Sequence, residues 1–545
     1  MFGLSQGGLR AAALRRERPV LRIDAGALDG EYDVCVVGAG PAGIACALDL
    51  SACGVKVLLL EAGREKPVPG NPDLLAAELS HPQHHDPTDI VAAHALGGSS
   101  HWWGGRSVPF DAADFDAWPI SYGDMLFWYD RAAGFLGARA VHETPAPGAF
   151  ARLASFDATR DETWCPQTNM SVRWRAALRA SDGPVVLVGA RVVGLTVTGA
   201  RIASLRVRIG GEERSVDACR FVLTCGGLGT LKLLLLAQLE APHLFGGPEG
   251  PLGRGYMGHL TGTAADIELA DPGDVAFFST RSIEGIRARR RIRPRADTIV
   301  RERIVNVAFW LENASNDNAE HGSSVASAKY IAARMLRALA RRSGDNAPLR
   351  PHIDNVARAP IAAGVGVARA GYLLAMTKLT GQMPRPPLSV PVRPGVWRLD
   401  YHAEQKPDPR NRVSLSQTQT DSVGLPALKV DFSFRDEDVE PVLRAHELLD
   451  VDLQRAGAGR LRLRGDRASV LQTIKAYARD GYHQLGGAAM SADPQRGVVD
   501  ASCRAYGVEN LWIAAGCVFP SGGQANPTLT IVALARRLAA HLGAA

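Results

Sequence analysis

The chain has 545 residues, 46% hydrophobic and 22% charged, with a net charge of +6. This size suits two or three intimately packed domains rather than one core, and the composition is that of an ordinary globular enzyme. So weak a charge, with no basic stripe interleaved with aromatics, argues against a nucleic-acid partner. The eight cysteines form no C-x-x-C pair, so neither structural zinc nor a dithiol motif is signalled and a reducing compartment is favoured.

Residues 1–30 read as a short arm. They hold arginines but no apolar core of a secretory signal, and Arg15–Arg16 lacks the apolar stretch that follows a twin-arginine pair. No run of about 18 apolar residues occurs anywhere, so a spanning helix is not expected, and the cytoplasm is the expected location. The stretch Tyr32 to Gly63 then carries the first strong signal. Val34 to Val37 is apolar enough for a strand buried on both faces. Gly38, Gly40 and Gly43 form a G-x-G-x-x-G turn into a helix from about Pro41 to Cys53, so that Gly38, Gly40, Pro41, Ala42 and Gly43 would cradle a pyrophosphate at a helix amino end. A second strand, Lys56 to Leu60, ends on Glu61, 18 residues beyond Gly43, about where a ribose-binding acid belongs. Nucleotide binding follows; which nucleotide is left open by these residues alone. Cys35, Cys46 and Cys53 sit in this unit as buried free thiols.

The histidines His81, His84 and His85 lie in a polar connection with no cysteine or spaced acid to complete a metal site, so a solvated loop is expected and no metal is predicted. Ala95 to Phe110 (ALGGSSHWWGGRSVPF) suits neither helix nor strand; its glycines make it a loop whose backbone approaches something closely. Ser121 can cap a helix with Met125, Leu126, Trp128 and Tyr129 on its apolar face. Between Gly183 and Gly211 the pattern turns to strands, with a hairpin at Gly199–Ala200. RFVLTCGGLGTLKLLLLAQL (Arg220 to Leu239) repeats strand, glycine turn and helix, which suggests one domain assembled from separated segments. The arginine run of residues 285–304 is expected as a solvated surface, with specific anion binding as the alternative. Residues 322–382 read as two packed helices, the second broken by Arg369; the sharper reading is an interfacial patch for a membrane or partner. PRPPLSVPVRPG (384–395) punctuates the chain before a strand-rich return.

The last 65 residues are dense with signals. LWIAAG reads as a buried strand, and Asn526 can cap a helix with Pro527 at its first position. His483 stands just before Gly486–Gly487. A histidine and an amide are the group types that bind an alcohol oxygen and remove its proton.

Here the chain resembles the glucose–methanol–choline (GMC) flavoprotein oxidoreductases over most of its length. The first βαβ unit, GGSSHWWGG with the helix after it, FVLTCGGLGTLKLLLL, GPLGRGYMGH (Gly250 to His259), EQKPDPRNRVSLS and the C-terminal block occur in that family's order. The resemblance is nearest the bacterial branch acting on sugars and polyols. It implies an α/β fold: a Rossmann-like FAD-binding domain from discontinuous segments (28–115, 185–265 and 480–545) and an α+β substrate domain on a mostly antiparallel sheet (116–184 and 266–479, with a helical insertion at 322–382). It makes His483 and Asn526 catalytic. It assigns FAD contacts to Gly38, Gly40, Pro41, Ala42, Gly43 and Glu61, to Gly98, Ser99, Ser100, Trp103 and Gly104 beside the isoalloxazine, and to Val193, whose backbone (or that of Val192) meets the adenine. Gly226, Gly516, Asn526, Pro527 and Thr528 complete that set.

Some features depart from the family pattern. Gly486–Gly487 replaces Gly-Thr, Met490–Ser491 replaces Met-Gly, and Cys517 stands where aspartate is commoner. The histidine to which some relatives attach FAD would fall at Trp102, with His101 one residue short, so non-covalent FAD is expected. Only Cys165 remains of a cysteine-rich loop, so no iron–sulfur centre is indicated. The implied reaction is oxidation of a primary or secondary alcohol, a sugar, glycoside or polyol hydroxyl, by a dehydrogenase rather than an oxidase. The acceptor is left open among oxygen, a quinone and another carrier. A hydrophobic alcohol or sterol, or a non-redox lyase-like flavoprotein, are the alternatives. An NAD-dependent dehydrogenase would share only the opening motif, and a dithiol reductase would need a cysteine pair closer than Cys46 and Cys53.

Overall fold

An apolar run with no polar face has to be covered on both sides, and Val34–Val37 is covered so at the centre of a parallel sheet. The computed structural model describes residues 25–68, 72–140, 143–314, 317–339, 348–380 and 390–544. Most of the arm expected over 1–30, and residues 384–389 of the proline-rich stretch, lie outside the described residues.

The first elements are β1 (Val34–Val37), α1 (Pro41–Ala52), β2 (Val57–Glu61) and α2 (Tyr122–Leu136). Then come β3 (Val185–Val188), β4 (Arg220–Leu223), α3 (Gly226–Glu240), β5 (His259–Leu269) and β6 (Val307–Glu312). Three helices follow, α4 (Ser324–Leu339), α5 (Leu349–Arg358) and α6 (Pro360–Thr380), before β7 (Val396–Glu404), α7 (Asp436–Ala456) and β8 (Gly459–Leu463). The chain closes with β9 (Leu511–Ile513) and α8 (Thr528–Gly543).

The parallel sheet runs β9-β4-β1-β2-β3, with Val36 beside both Leu59 and Val222. Parallel neighbours need crossovers, and the first is α1. Gly38 has φ +102°, open in practice to glycine alone. A Cβ on Gly43 would lie 1.8 Å from the Gly38 carbonyl oxygen, so the helix can leave the strand this tightly only without a side chain there. The last helix, α8, returns to pack on α1 and α2, and Arg536 fixes it to Asp49 through bonds of 2.7 and 2.8 Å. Both ends of the described chain therefore meet at one sheet, which makes the fold α/β with a Rossmann-like sheet gathered from separated segments.

The second sheet is antiparallel, in the order β6-β7-β5-β8. α7 covers it, with His446 edge-on to Phe309 and Tyr401 at ring distances of 4.8 and 5.2 Å. The hairpin expected at Gly199–Ala200 is present between strands Arg191–Thr198 and Arg201–Ile209.

Several local expectations are corrected. Ser121 does cap α2, accepting from the Asp124 N–H, but the buried face is Met125, Tyr129, Ala132 and Phe135, while Leu126 is exposed. Cys53 is exposed, whereas Cys35 and Cys46 are buried. The loop at 81–85 is not simply solvated: His85 is buried against Tyr256 and Phe432, where bulky aromatics left an apolar niche for its ring. The arginine run dives inward. Arg289, Arg290 and Arg291 are buried against Asp161 and Glu162 of the neighbouring strand Asp161–Trp164, because paired acids across a sheet neutralise them. Finally, the described residues of the segment 322–382 hold three helices, not two, and α6 runs unbroken through Arg369, whose exposed side chain reaches water.

Candidate active site

The site lies at the carboxyl ends of β1, β4 and β9, the edge where open parallel sheets bind ligands. Its floor is made of backbone. Gly38 to Gly43 turns into α1, whose amino end receives no side-chain cap. Against it lies the loop of Gly97 and Gly98, tied by the Gly97 N–H donating to the Ala39 carbonyl at 2.8 Å. A Cβ on Gly98 would stand 2.8 Å from Gly40 Cα. Two glycine loops meeting backbone to backbone at an uncapped helix end form a cradle for a pyrophosphate, so these residues fit the nucleotide cofactor that the sequence implies.

Glu61 closes the cradle at the end of β2. Its carboxylate accepts from the Ala39 N–H at 3.0 Å and the Gly63 N–H at 2.9 Å. Burial pushes its carboxyl up to about 7, with the two N–H groups pulling the other way. Farther out, Val193 falls at a bulge: the ladder passes from Val192–Val207 to Gly194–Arg206, leaving the Val193 backbone out of the pairing. In the loop after Gly98, Ser100 is buried and its hydroxyl accepts from the Met170 N–H at 3.1 Å. Trp103 donates its indole N–H to the Thr168 carbonyl at 2.9 Å. Ser99 is exposed, and a Cβ on Gly104 would meet nothing within 4 Å. His101 turns away onto the Leu96 carbonyl at 2.9 Å, with its other nitrogen 3.3 Å from the Asn169 amide.

The opposite wall is the C-terminal block. The segment after His483 runs alongside Gly516–Val518, with Gly486 donating to the Gly516 carbonyl at 3.1 Å and Ala488 to that of Cys517 at 2.9 Å. Gln484 packs on Gly227, where a Cβ would lie 2.4 Å from its carbonyl oxygen, and its side chain accepts from the Leu228 N–H at 3.0 Å. Gly226, at the start of α3, has φ +73° and lies against the same Gln484 side chain.

His483 and Asn526, 43 positions apart, come together: the Asn526 amide nitrogen is 3.1 Å from His483 Nε2. Asn526 does not cap α8, which begins at Thr528 after Pro527 and has no side-chain cap. On the other side of the ring, His483 Nδ1 is 3.0 Å from Asp480 Oδ2. Asp480 is buried and unusually well bound. Oδ1 accepts from the N–H groups of Gly481, Tyr482 and His483 at 2.7, 2.9 and 3.2 Å, and Oδ2 from the His259 N–H at 2.7 Å. Burial alone would raise its carboxyl, but the charge and hydrogen bond of His483, aided by His259 and Gly481, hold it well below the usual carboxylate range. An ionised Asp480 only accepts, so Nδ1 of His483 carries a hydrogen, and in the neutral ring the lone pair is on Nε2.

Two more histidines line this wall, His259 at the start of β5 and His402 near the end of β7. His259 Nε2 donates to the carbonyls of Gly523 and Gly522 at 3.1 and 3.3 Å, and His402 Nδ1 donates to that of Gln524 at 2.7 Å. Burial and the neighbouring His483 lower His259 to about 3; burial, His259 and His483 take His402 well below its ordinary range. With His483, these rings place nitrogens within 4.8 Å of one another. Yet the rings of His259 and His402 stack at 4.2 Å and 24°, so their in-plane lone pairs run side by side and do not converge on one ion. The remaining nitrogens of both, and Asn526 Oδ1, are buried with no hydrogen-bond partner among the described residues. Such orphans in one place are what a bound polar group satisfies.

The loop that carries Gly522 to Asn526 is pinned by the buried arginines. Arg291 pairs with Glu162 at 2.7 Å and donates to the Gln524 side chain, which in turn donates to Asp111 at 3.0 Å. Beside it, burial, with Asp111 and Glu404 adding, raises the Asp114 carboxyl well above its usual range, and Gly523 leaves room for it.

The structure thus brings His483, Asn526, Gly226 and Gly516 to one wall and the glycines and Glu61 to the other. Sequence reading missed Asp480, His259, His402, Gln484 and Gln524. Asp480 left a signal as an acid three residues before the singled-out histidine, and His259 as the last residue of the motif Gly250 to His259.

Residues 407–535 match the family model described as GMC oxidoreductase. The C-terminal region is thus similar to the GMC oxidoreductases. Residues 32–95 match the model for pyridine nucleotide-disulphide oxidoreductase, which fits the nucleotide cradle. The dithiol chemistry in that name has no support here, because Cys46 and Cys53 are two helical turns, about 10 Å, apart. Among curated proteins, 6'''-hydroxyparomomycin C oxidase of Streptomyces lividus is 32% identical over 27% of this chain and 26% of its own length. Paromamine 6'-oxidase of Streptomyces fradiae is 24% identical, and that match covers 94% of this chain and 91% of the relative. The chain thus aligns with only about a quarter of the former and nearly all of the latter. The pyridoxine 4-oxidase of Mesorbium loti has the same fold: 17% identity, TM-score 0.55, covering 94% of this chain and 99% of that one.

Proposed function

We propose that this GMC protein is an FAD-dependent oxidoreductase that converts a sugar, glycoside or polyol hydroxyl to a carbonyl. The observation that carries the reading is the placement of His483, its Nε2 3.1 Å from the Asn526 amide and its Nδ1 3.0 Å from Asp480, across from the glycine cradle. FAD, when bound, supplies the hydride acceptor. His483 Nε2 takes the hydroxyl proton. Asp480 keeps the Nδ1 proton in place and stabilises the imidazolium that results. The Asn526 amide donates to the oxygen as negative charge develops on it. The enclosing histidines and the Gly522–Gln524 loop exclude water.

Residues 28–115, 185–265 and 480–545 form the FAD-binding domain in this reading, and 116–184 with 266–479 the substrate domain. The three strands β1, β2 and β4 with β9 support the first grouping, and the antiparallel sheet the second. Attachment of FAD is non-covalent, a reading supported by His101 being turned onto the Leu96 carbonyl. The choice of a sugar hydroxyl is supported by the names of the two curated relatives, both oxidases of aminoglycosides.

An anaerobic screen of alcohols and sugars for bleaching of the yellow flavin tests this. Sugars or polyols should bleach it. No bleaching by any alcohol would overturn the redox reading, and bleaching by sterols alone would replace the substrate class. Admission of air then separates the dehydrogenase expected from the sequence, which stays bleached, from an oxidase, which recolours. Acid precipitation should release the flavin into the supernatant.

A further inference from the structure

The segment between β6 and β7 stands apart from the rest of the molecule in both charge and exposure. Over residues 322–382 there are nine Lys and Arg against two Asp, while the remaining residues hold 53 Lys and Arg against 54 Asp and Glu. The whole positive charge of the chain is therefore concentrated in one insertion. Its last helix, α6, is apolar around most of its circumference, and among the described side chains it packs on α4 through a narrow strip. Ala363 is buried there, and Gly366 comes so close that a Cβ would lie 2.3 Å from the Val325 side chain. Outside that strip, Ile361 is 83% exposed, Val365 63% and Tyr372 63%. Arg350, Arg358 and Arg369 are exposed around them. A contiguous apolar face is rare on a soluble surface unless it has something to meet.

We infer that α6 is an interfacial anchor that lays its apolar face into an anionic phospholipid surface, with the surrounding arginines on the headgroups. The charge chooses this occupant. An apolar face alone would suit a second copy of the chain, but two insertions of this charge would repel each other, whereas an anionic bilayer attracts every one of these cations. Among the described residues no helix is long and apolar enough to cross a membrane, so the contact is peripheral. The insertion emerges where β6 ends at Glu312 and β7 begins at Val396, six residues before His402. The anchor therefore roots about 20 Å along the strand from the catalytic wall, so it can hold a surface without obstructing the site. This inference does not depend on the proposed reaction.

The test is co-sedimentation of the FAD-loaded protein with vesicles of phosphatidylcholine alone and of phosphatidylcholine with one quarter phosphatidylglycerol. Binding to the anionic vesicles should exceed that to the neutral ones about tenfold and should fall as salt is raised. The double variant Ile361→Glu/Val365→Glu should lose nearly all binding, and Arg358→Gln/Arg369→Gln the greater part of its salt-sensitive component. Both should keep the yellow colour and the turnover of any soluble alcohol, since these side chains lie on the surface. Failure of the wild type to bind anionic vesicles, or equal binding by the Ile361→Glu/Val365→Glu protein, would overturn the anchor. So would a wild-type dimer in sedimentation velocity that this variant splits, because a second copy would then cover α6.

Discussion

The wall around His483 and the arm built by α4–α6 solve opposite problems. In the wall, polar atoms are buried and many are bound by backbone: Asp480 alone accepts four main-chain N–H groups. In the arm, large apolar side chains stand in water. The first region is fixed by an over-determined polar network, in which removing one partner strands another. The second is held by a small inner cluster, with Tyr330 stacked on His352 at 4.3 Å and Ser327 Oγ 3.1 Å from His352 Nδ1, while Ile361 and Val365 stand outside it. Precision of a reacting atom needs the first arrangement, and adhesion to a fluid surface needs only the second.

That contrast can be broken from the wall outward. His483→Ala should leave an FAD-loaded protein whose anaerobic reduction by substrate is slowed about 10²–10⁴-fold in stopped flow; near-normal reduction would remove the base from the proposal. Asp480→Asn should cost on the order of 10–10³-fold, because the amide offers a donor where the ring needs an acceptor and the wrong tautomer results. Its loss should appear in the reduction rate more than in FAD content. Glu162→Ala leaves the buried guanidinium of Arg291 short of its partner and should destabilise the protein by about 3–5 kcal/mol in denaturant unfolding. Equal stability would mean that the buried network is not what holds the Gln524 loop.

A pH effect comes next in size. Burial raises Glu61 to about 7 in the folded protein, so the folded form keeps a proton that the unfolded chain releases near its ordinary value. This contribution to stability is whole below about pH 4.5 and is lost as pH rises to about 7, a span of up to about 3 kcal/mol. FAD-free protein should therefore unfold more easily with rising pH over that window, and Glu61→Gln should flatten the dependence. Smallest of all, Ile361→Glu should shift unfolding by no more than about 0.5 kcal/mol. A large loss there would show that the arm is packed like the wall and would erase the comparison.

How much of this could be read from residues depends on the range of the interaction involved. The turn at Gly38–Gly43 was legible because a tight turn, a helix start and a strand follow from neighbours in the chain. His483 and Asn526 were legible through their motif, but not their separation of 3.1 Å. Asn526 looked like a helix cap, since capping is a local habit of asparagine; in the fold its amide is drawn to His483 instead. The arginines of 285–304 read as surface because charge avoids burial unless paired, and their acids, Asp161 and Glu162, lie about 130 residues earlier. The unbroken α6 was misjudged at Arg369 for a related reason: a charged residue interrupts an apolar helix only if its head cannot reach water.

By itself the sequence determined the strand, glycine turn and helix of the first unit and a parallel sheet assembled from separated segments, because backbone turns and apolar runs are set within a few residues. Only the tertiary structure decided that Asp480 fixes the His483 ring, that His259 and His402 stack beside it, and that Arg289, Arg290 and Arg291 within the arginine run are interior. Those outcomes depend on which strands become neighbours, and a partner supplied from a distant strand leaves no mark on the residues beside the one it binds.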